Sequence, residues 1–122
     1  MNEEQLLKTG ERINQLFSTD IKIIQNSEVF SYSVDSVLLS RFPRFPKNGL
    51  IVDFCAGNGA VGLFASSRTK AKILSVEIQE RLADMAERSV RLNGLDGQMQ
   101  VICDDLKNMP SHIQGSKVDL IL

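Results

Sequence analysis

The feature that most constrains this chain is the run Leu50-Ile-Val-Asp53-Phe-Cys-Ala-Gly57-Asn-Gly59-Ala-Val-Gly62, where a nearly continuous apolar segment meets a carboxylate and then three glycines. An unbroken apolar run is what a strand covered on both faces requires. A helix-like segment, Ala60–Ser67, follows it. The alternation then repeats. Lys72–Glu77 reads as a second strand and Gln79–Leu92 as an amphipathic helix, with Leu82, Ala86 and Val90 on one stripe and Asn93-Gly94 as its stop. Asp84 with Arg88, and Glu87 with Arg91, are i,i+4 pairs expected on the opposite, solvated stripe. Met99–Cys103 is the third strand, Asp104–Gly115 a loop with one short helical turn, and Lys117–Leu122 the fourth strand. Strands alternating with helices predict an α/β fold built on a parallel sheet.

Residues 1–47 read as a small extension ahead of that unit, and 48–122 as the ligand-binding half of the sheet domain. The extension holds a weak helix near Glu11–Phe17, a β-rich run Ile21-Lys-Ile-Ile24, and a short helix Val34–Phe42 that Pro43 and Pro46 end. At 122 residues and 43% hydrophobic the chain can build a core. Fourteen basic against fifteen acidic residues give a net charge of −1, so a nucleic-acid partner must be met by a local patch rather than by bulk charge. The acidic start MNEEQLLKTGERINQ is unlike a signal peptide, and no apolar stretch approaches a membrane span. A cytoplasmic protein without membrane contact is expected. Cys55 and Cys103 lie in separate apolar runs without ligand-spaced partners, which argues against zinc or a disulfide.

Three features fall at the carboxyl ends of successive strands, where an open α/β sheet places its ligand. Gly57 and Gly59 let the backbone approach a ligand closely. Glu77, twenty residues beyond Gly57, is placed to accept hydrogen bonds from a ribose diol. Asp104 and Asp105 end the third strand, where either can accept from an adenine amine while Ile78 and Leu106 sandwich the ring. The pattern Gly57-x-Gly59-x-x-Gly62 also fits a dinucleotide fingerprint. Asp53, four residues before Gly57, would repel a pyrophosphate but suits the ammonium of a methionine moiety. The acid therefore favours S-adenosyl-L-methionine over NAD.

Ile51-Val-Asp-Phe-Cys-Ala-Gly-Asn-Gly59, Ser75-Val-Glu-Ile-Gln-Glu80, Ala86-x-x-Ser-Val-x-x-Asn93 and Cys103-Asp-Asp-Leu-Lys107 together resemble successive motifs of Rossmann-like class I methyltransferases. More narrowly, Ile23-Ile-Gln25, Phe30-Ser-Tyr-Ser-Val-Asp35-Ser-Val-Leu-Leu39 and Val76-Glu-Ile-Gln-Glu-Arg81 resemble the tRNA(Val) adenine N6-methyltransferases, relatives of the small-domain methyltransferases. The resemblance implies that Asp53, Cys55, Ala56, Gly57 and Gly59 hold the methionine end, Glu77 the ribose, and Asp105 or Asp104 the adenine. It also implies that the Asp35 segment closes over the pocket and that the substrate is an adenine beside the tRNA anticodon. Cys55 stands where many of these enzymes have glycine. Their fourth strand runs into an Asn-Pro-Pro-Tyr tetrapeptide that holds the target amine, and the residues through Leu122 contain none, so the chain is expected to be the N-terminal part of a methyltransferase. Methylation of rRNA, protein or a small molecule, a non-catalytic cofactor-binding module, and an NAD-dependent oxidoreductase remain alternatives.

Simpler roles compete for several residues. Asp35 caps the helix after it as readily as it lines a pocket. Arg41, Arg44 and Lys47, interleaved with Phe42 and Phe45, offer a contact to an RNA backbone, but read better as a solvated helix end with its phenylalanines in the core. His112 has no partner at any readable spacing and is expected to be inert.

Overall fold

The computed structural model describes residues 2–16, 19–26, 28 and 34–122, together with the backbone but not the side chain of Val34. The segment Phe30-Ser-Tyr-Ser33 of the resemblance lies outside the described residues.

The elements follow in the order β1 (Arg12–Gln15), β2 (Lys22–Gln25), α1 (Val34–Arg41), β3 (Leu50–Phe54), α2 (Ala60–Ser66), β4 (Lys72–Glu77), α3 (Glu80–Leu92), β5 (Met99–Cys103), α4 (Met109–Ile113) and β6 (Leu120–Ile121). Strands β5, β4, β3 and β6 form one parallel sheet in that spatial order. From β3 the chain steps outward to β4 and β5, then returns to place β6 on the other side of β3. This reversal creates a crevice beyond the carboxyl end of β3, the position at which such sheets bind ligands. The α/β architecture on a parallel sheet is as expected.

Alternate residues of the strands serve the two faces. On one face Ile51, Ile73 and Met99 pack with Leu63, Phe64 and Val90 of α2 and α3. On the other, Val52, Leu74 and Val76 pack with Met109, beside Ile113 and Val118. Residues 104–115, expected as a loop with one short helical turn, form a 3₁₀ turn at Leu106–Asn108 followed by α4, because Met109 has an apolar sheet face to cover. The fourth strand is shorter than expected: only Leu120 and Ile121 pair in register with β3.

The expected helix near Glu11–Phe17 is instead the strand β1, paired antiparallel with β2 so that Ile13 faces Ile24. A four-residue strand has little propensity of its own, and here the partner strand decides its state. The hairpin docks on α3. Ser89 Oγ accepts from the Ile24 N–H at 2.9 Å, and Asn93 Oδ1 accepts from the Lys22 N–H at 2.8 Å. Arg88, read from the sequence as solvated, is only 5% exposed. Its guanidinium binds Glu11 through two nitrogens and donates to the Leu6 carbonyl at 2.6 Å and to Asp84. That bond from Arg88 holds the Glu11 carboxyl below the usual carboxylate range.

Candidate cofactor site

β3 ends in a turn whose backbone L-residues rarely adopt. Cys55 has φ +56°, followed by Gly57 at +59° and Gly59 at +91°. The left-handed conformation at Cys55 explains why glycine suits that position: a Cβ there costs roughly 1–2 kcal/mol. Gly59 and Gly62 serve packing. A Cβ on Gly59 would lie 3.1 Å from the Cβ of Ala86, and one on Gly62 would lie 2.8 Å from Met99 Cε. Their absence lets α2 and α3 press against the turn.

Three hydrogen bonds fix the turn. The Ala56 N–H donates to the Val76 carbonyl at 2.9 Å. The Gly57 N–H donates to Glu77 Oε1 at 2.8 Å. Asn58, fully buried, donates from Nδ2 to the Ile24 carbonyl at 3.2 Å, tying the turn to the hairpin. Asn58 escaped sequence reasoning, since its partner lies thirty-four residues away. Glu77 Oε2 also accepts from the Gln79 N–H at 2.9 Å. A carboxylate has about four lone-pair sites, so Glu77 retains capacity for further donors.

Asp53 is the unusual group. It is 2% exposed, and its Oδ2 has no hydrogen-bond partner. Burial, then the nearby Glu77 carboxylate, push its carboxyl up to about 7, against a smaller opposing effect of the Gly62 amide. A buried acid beside a second acid and without a cation is costly, and a bound cation would relieve it. Asp53 borders a cavity of about 210 Å³, across which stand Asp35, Ser36 and Leu39 of α1, with Cys55, Ala56 and Ala60 on the turn side.

At the neighbouring strand ends the two aspartates separate in role. Asp104 is engaged within its own loop: it accepts from the Asp105 N–H and Asn108 Nδ2, both at 2.7 Å, and pairs with His112 Nε2 at 2.8 Å. The His112 and Asn108 bonds draw its carboxyl down to about 2. His112, expected to be inert, is thus partnered and braces this loop. Asp105 caps the 3₁₀ turn through its Oδ1, which accepts from the Lys107 N–H at 3.0 Å. Ile78 and Leu106 are 61% and 39% exposed, enough to meet a planar ring. Both cysteines are free and exposed. Among the described residues, no cluster of three or more His, Cys, Asp or Glu side chains is placed to hold a metal, and no helix is long and apolar enough to cross a membrane.

Residues 20–122 match the methyltransferase small domain. The chain belongs to that family. A tRNA1(Val) (adenine(37)-N6)-methyltransferase of Bacteroides fragilis (strain YCH46) is 25% identical over 88 residues, covering 72% of this chain and 37% of that protein. The enzyme of the same name from Shewanella halifaxensis (strain HAW-EB4) is 27% identical over 90 residues, covering 74% and 37%. The chain therefore spans little more than a third of the curated relatives it matches. A SAM-dependent methyltransferase from Agrobacterium tumefaciens shares the fold, with a TM-score of 0.70 at 14% identity over 94% of this chain and 39% of that one.

Proposed function

We propose that the chain is the cofactor-binding part of an S-adenosylmethionine-dependent methyltransferase acting on the exocyclic N6 amine of an adenine beside the anticodon of tRNA(Val). The observation that carries the cofactor reading is Asp53: a buried carboxylate with an unpartnered oxygen, bordering a cavity at the switch point of the sheet. A methionine ammonium supplies the cation this group lacks, whereas a pyrophosphate would add two further negative charges beside Asp53 and Glu77. Similarity to the two tRNA methyltransferases supports the substrate reading.

In this reading Asp53 holds the ammonium, and the free lone pairs of Glu77 accept the ribose hydroxyls. Asp105 takes the adenine amine, because Asp104 is spent on His112 and Asn108, while Ile78 and Leu106 cover the ring. Asp35 and Leu39 wall the methionine end. When bound, S-adenosylmethionine supplies a methyl group on a sulfonium centre, an electrophile that needs no metal. The chain's own contribution is orientation and exclusion of water, with no proton moved by a side chain of this part. The reading places the protein in the cytoplasm.

Calorimetric titration of the full-length protein with S-adenosylhomocysteine and with NADH tests the cofactor. Binding of the first and not the second is expected. Glu77→Ala removes the acceptor for both Gly57 and the ribose, and an affinity loss of at least tenfold is expected. Binding of NADH alone, or unchanged affinity in Glu77→Ala, would refute the assignment. Methyl transfer to unmodified tRNA, analysed as N6-methyladenosine after nuclease digestion, tests the substrate.

A further inference from the structure

Charge is unevenly distributed along this chain. From Ser36 to Val76 there are six basic residues and a single carboxylate, the buried Asp53, whereas the remainder holds eight basic and fourteen acidic residues. Five of the six belong to α1, α2 and the segments that follow them, while Lys72 turns to the Gly97 carbonyl beside β5. Helices α1 and α2 pack together: Asp35, Ser36 and Leu39 of α1 and Ala60 and Val61 of α2 border the Asp53 cavity, and the far end of α2 lines a second cleft. That cleft, about 520 Å³, is lined by Lys47, Arg68 and Lys70 with Asn48, Ser66 and Ser67. Thr69 Oγ1 donates to the Pro46 carbonyl and pins its two walls together. Arg41, Arg44, Lys47, Arg68 and Lys70 form no ion pair among the described residues.

α1 and the residue that follows it display apolar side chains to solvent. Phe42 is 89% exposed and Leu38 60%, so Phe42 is not the core residue the sequence suggested, while Phe45 does pack against the core. An exposed aromatic flanked by unpaired cations, with Asp35 at the cavity end and Asp119 turned onto the Leu50 N–H as the carboxylates nearby, matches the chemistry that binds single-stranded nucleic acid: phosphates meet the cations and a base stacks on the ring. A protein partner would find little here for its own basic groups to pair with.

We infer that the α1–α2 flank is the docking surface for the RNA substrate, its strand running from the Asp53 cavity over Phe42 to the Lys47–Arg68–Lys70 cleft. The inference rests on the RNA-modifying function proposed above and names the surface that serves it.

The test uses the full-length protein, fluorescein-labelled unmodified tRNA, and anisotropy titrations from 50 to 250 mM KCl. Two double variants remove equal charge: Arg44→Gln/Arg68→Gln on the flank, and Lys22→Gln/Arg91→Gln on the hairpin and α3, away from it. The flank pair should weaken binding about tenfold at 100 mM salt and lower the salt slope by about 1.4, two phosphate contacts at roughly 0.7 each. The remote pair should change affinity less than twofold. Phe42→Ala should weaken binding at least fivefold with the slope unchanged, as expected for lost stacking. S-adenosylhomocysteine affinity, measured on the same samples, should be unaltered in all three. Equal losses in the two double variants, or wild-type RNA affinity in Phe42→Ala and the flank pair, would overturn the docking surface. So would RNA-independent capture of a protein through Phe42. Failure of the cofactor to bind wild-type protein would instead overturn the methyltransferase reading, so the two failures are distinguishable.

Discussion

Asp53→Asn isolates the energetic cost of the candidate site. The Asp53 carboxyl has a pKa of about 7 against an ordinary value of 3.8. A difference of about three units corresponds to about 4 kcal/mol. The sign follows from linkage. The folded chain binds this proton more tightly than the unfolded chain, so its contribution is fully present below about pH 4, falls as pH rises to about 7, and is flat above. Asparagine carries no such proton but brings an N–H that, left unpaired, costs about 1–2 kcal/mol. The variant should therefore be more stable than wild type by about 2–3 kcal/mol at pH 8, and less stable by up to about 1 kcal/mol at pH 4.5. Urea denaturation at both pH values reads this directly. With a slope of about 1.5 kcal/mol/M, the midpoint should shift by up to about 2 M at pH 8 and reverse in sign at pH 4.5. Parallel stability–pH profiles for the two proteins would refute the reasoning. The ligand side is linked to the same proton. A bound cation favours ionised Asp53, so S-adenosylhomocysteine affinity should rise between pH 6 and pH 7.5 in wild type, and be lower and level in Asp53→Asn.

Arg88→Ala should be among the most damaging substitutions outside the site. It leaves Glu11, whose side chain is 2% exposed, as an unpaired buried charge, at a cost of about 3–5 kcal/mol. Thermal denaturation should show a drop of about 10–20 °C, with limited proteolysis releasing the N-terminal hairpin first. Gly62→Ala drives a methyl group into Met99 Cε and Ser75 Oγ and should cost about 1–3 kcal/mol by chemical denaturation, whereas Gly97→Ala, with open space around it, should stay within about 0.5 kcal/mol. At Cys55, glycine should preserve stability to within about 1 kcal/mol, while valine, β-branched in a left-handed conformation, should lower both stability and S-adenosylhomocysteine affinity.

The sheet and its two main helices were legible because each strand is a run of apolar residues with turn chemistry after it, and α3 has a clear amphipathic stripe. Asp53, Gly57, Gly59 and Glu77 were legible for the same reason: they sit at strand ends, and strand ends define the crevice. What stayed hidden was decided by contacts distant in sequence. β1 exists because β2 pairs with it, and the polar face of α3 is buried because Glu11 and Leu6 come back to cover Arg88. The sequence left the choice between the adjacent Asp104 and Asp105 open, and it is the positions of Asn108 and His112 that engage the first of them in its own loop. The basic flank is of this kind too. Arg44 and Arg68 belong to segments that look like separate loops until α1 packs beside α2.

The turn at residues 55–59 depends on parts of the molecule that would otherwise fold independently. Glu77 reaches it from β4 through Gly57, Val76 through Ala56, and the N-terminal hairpin through Asn58. Such bracing has a function, because the turn holds a left-handed cysteine and adjoins a carboxylate destabilised by burial. Neither would persist on a free loop, which would relax the cysteine and let water reach Asp53. The sheet and hairpin thus hold Asp53 dry, with one oxygen unpartnered, before any ligand arrives. The hairpin consequently belongs to the site although its described side chains do not border the Asp53 cavity. Asn58→Ala, which cuts the tie to Ile24, should lower S-adenosylhomocysteine affinity while moving the Asp53 pKa back toward its ordinary value as water enters. If affinity fell with that pKa unchanged, the loss would have to come from the turn's shape alone, and the coupling between bracing and desolvation would be wrong.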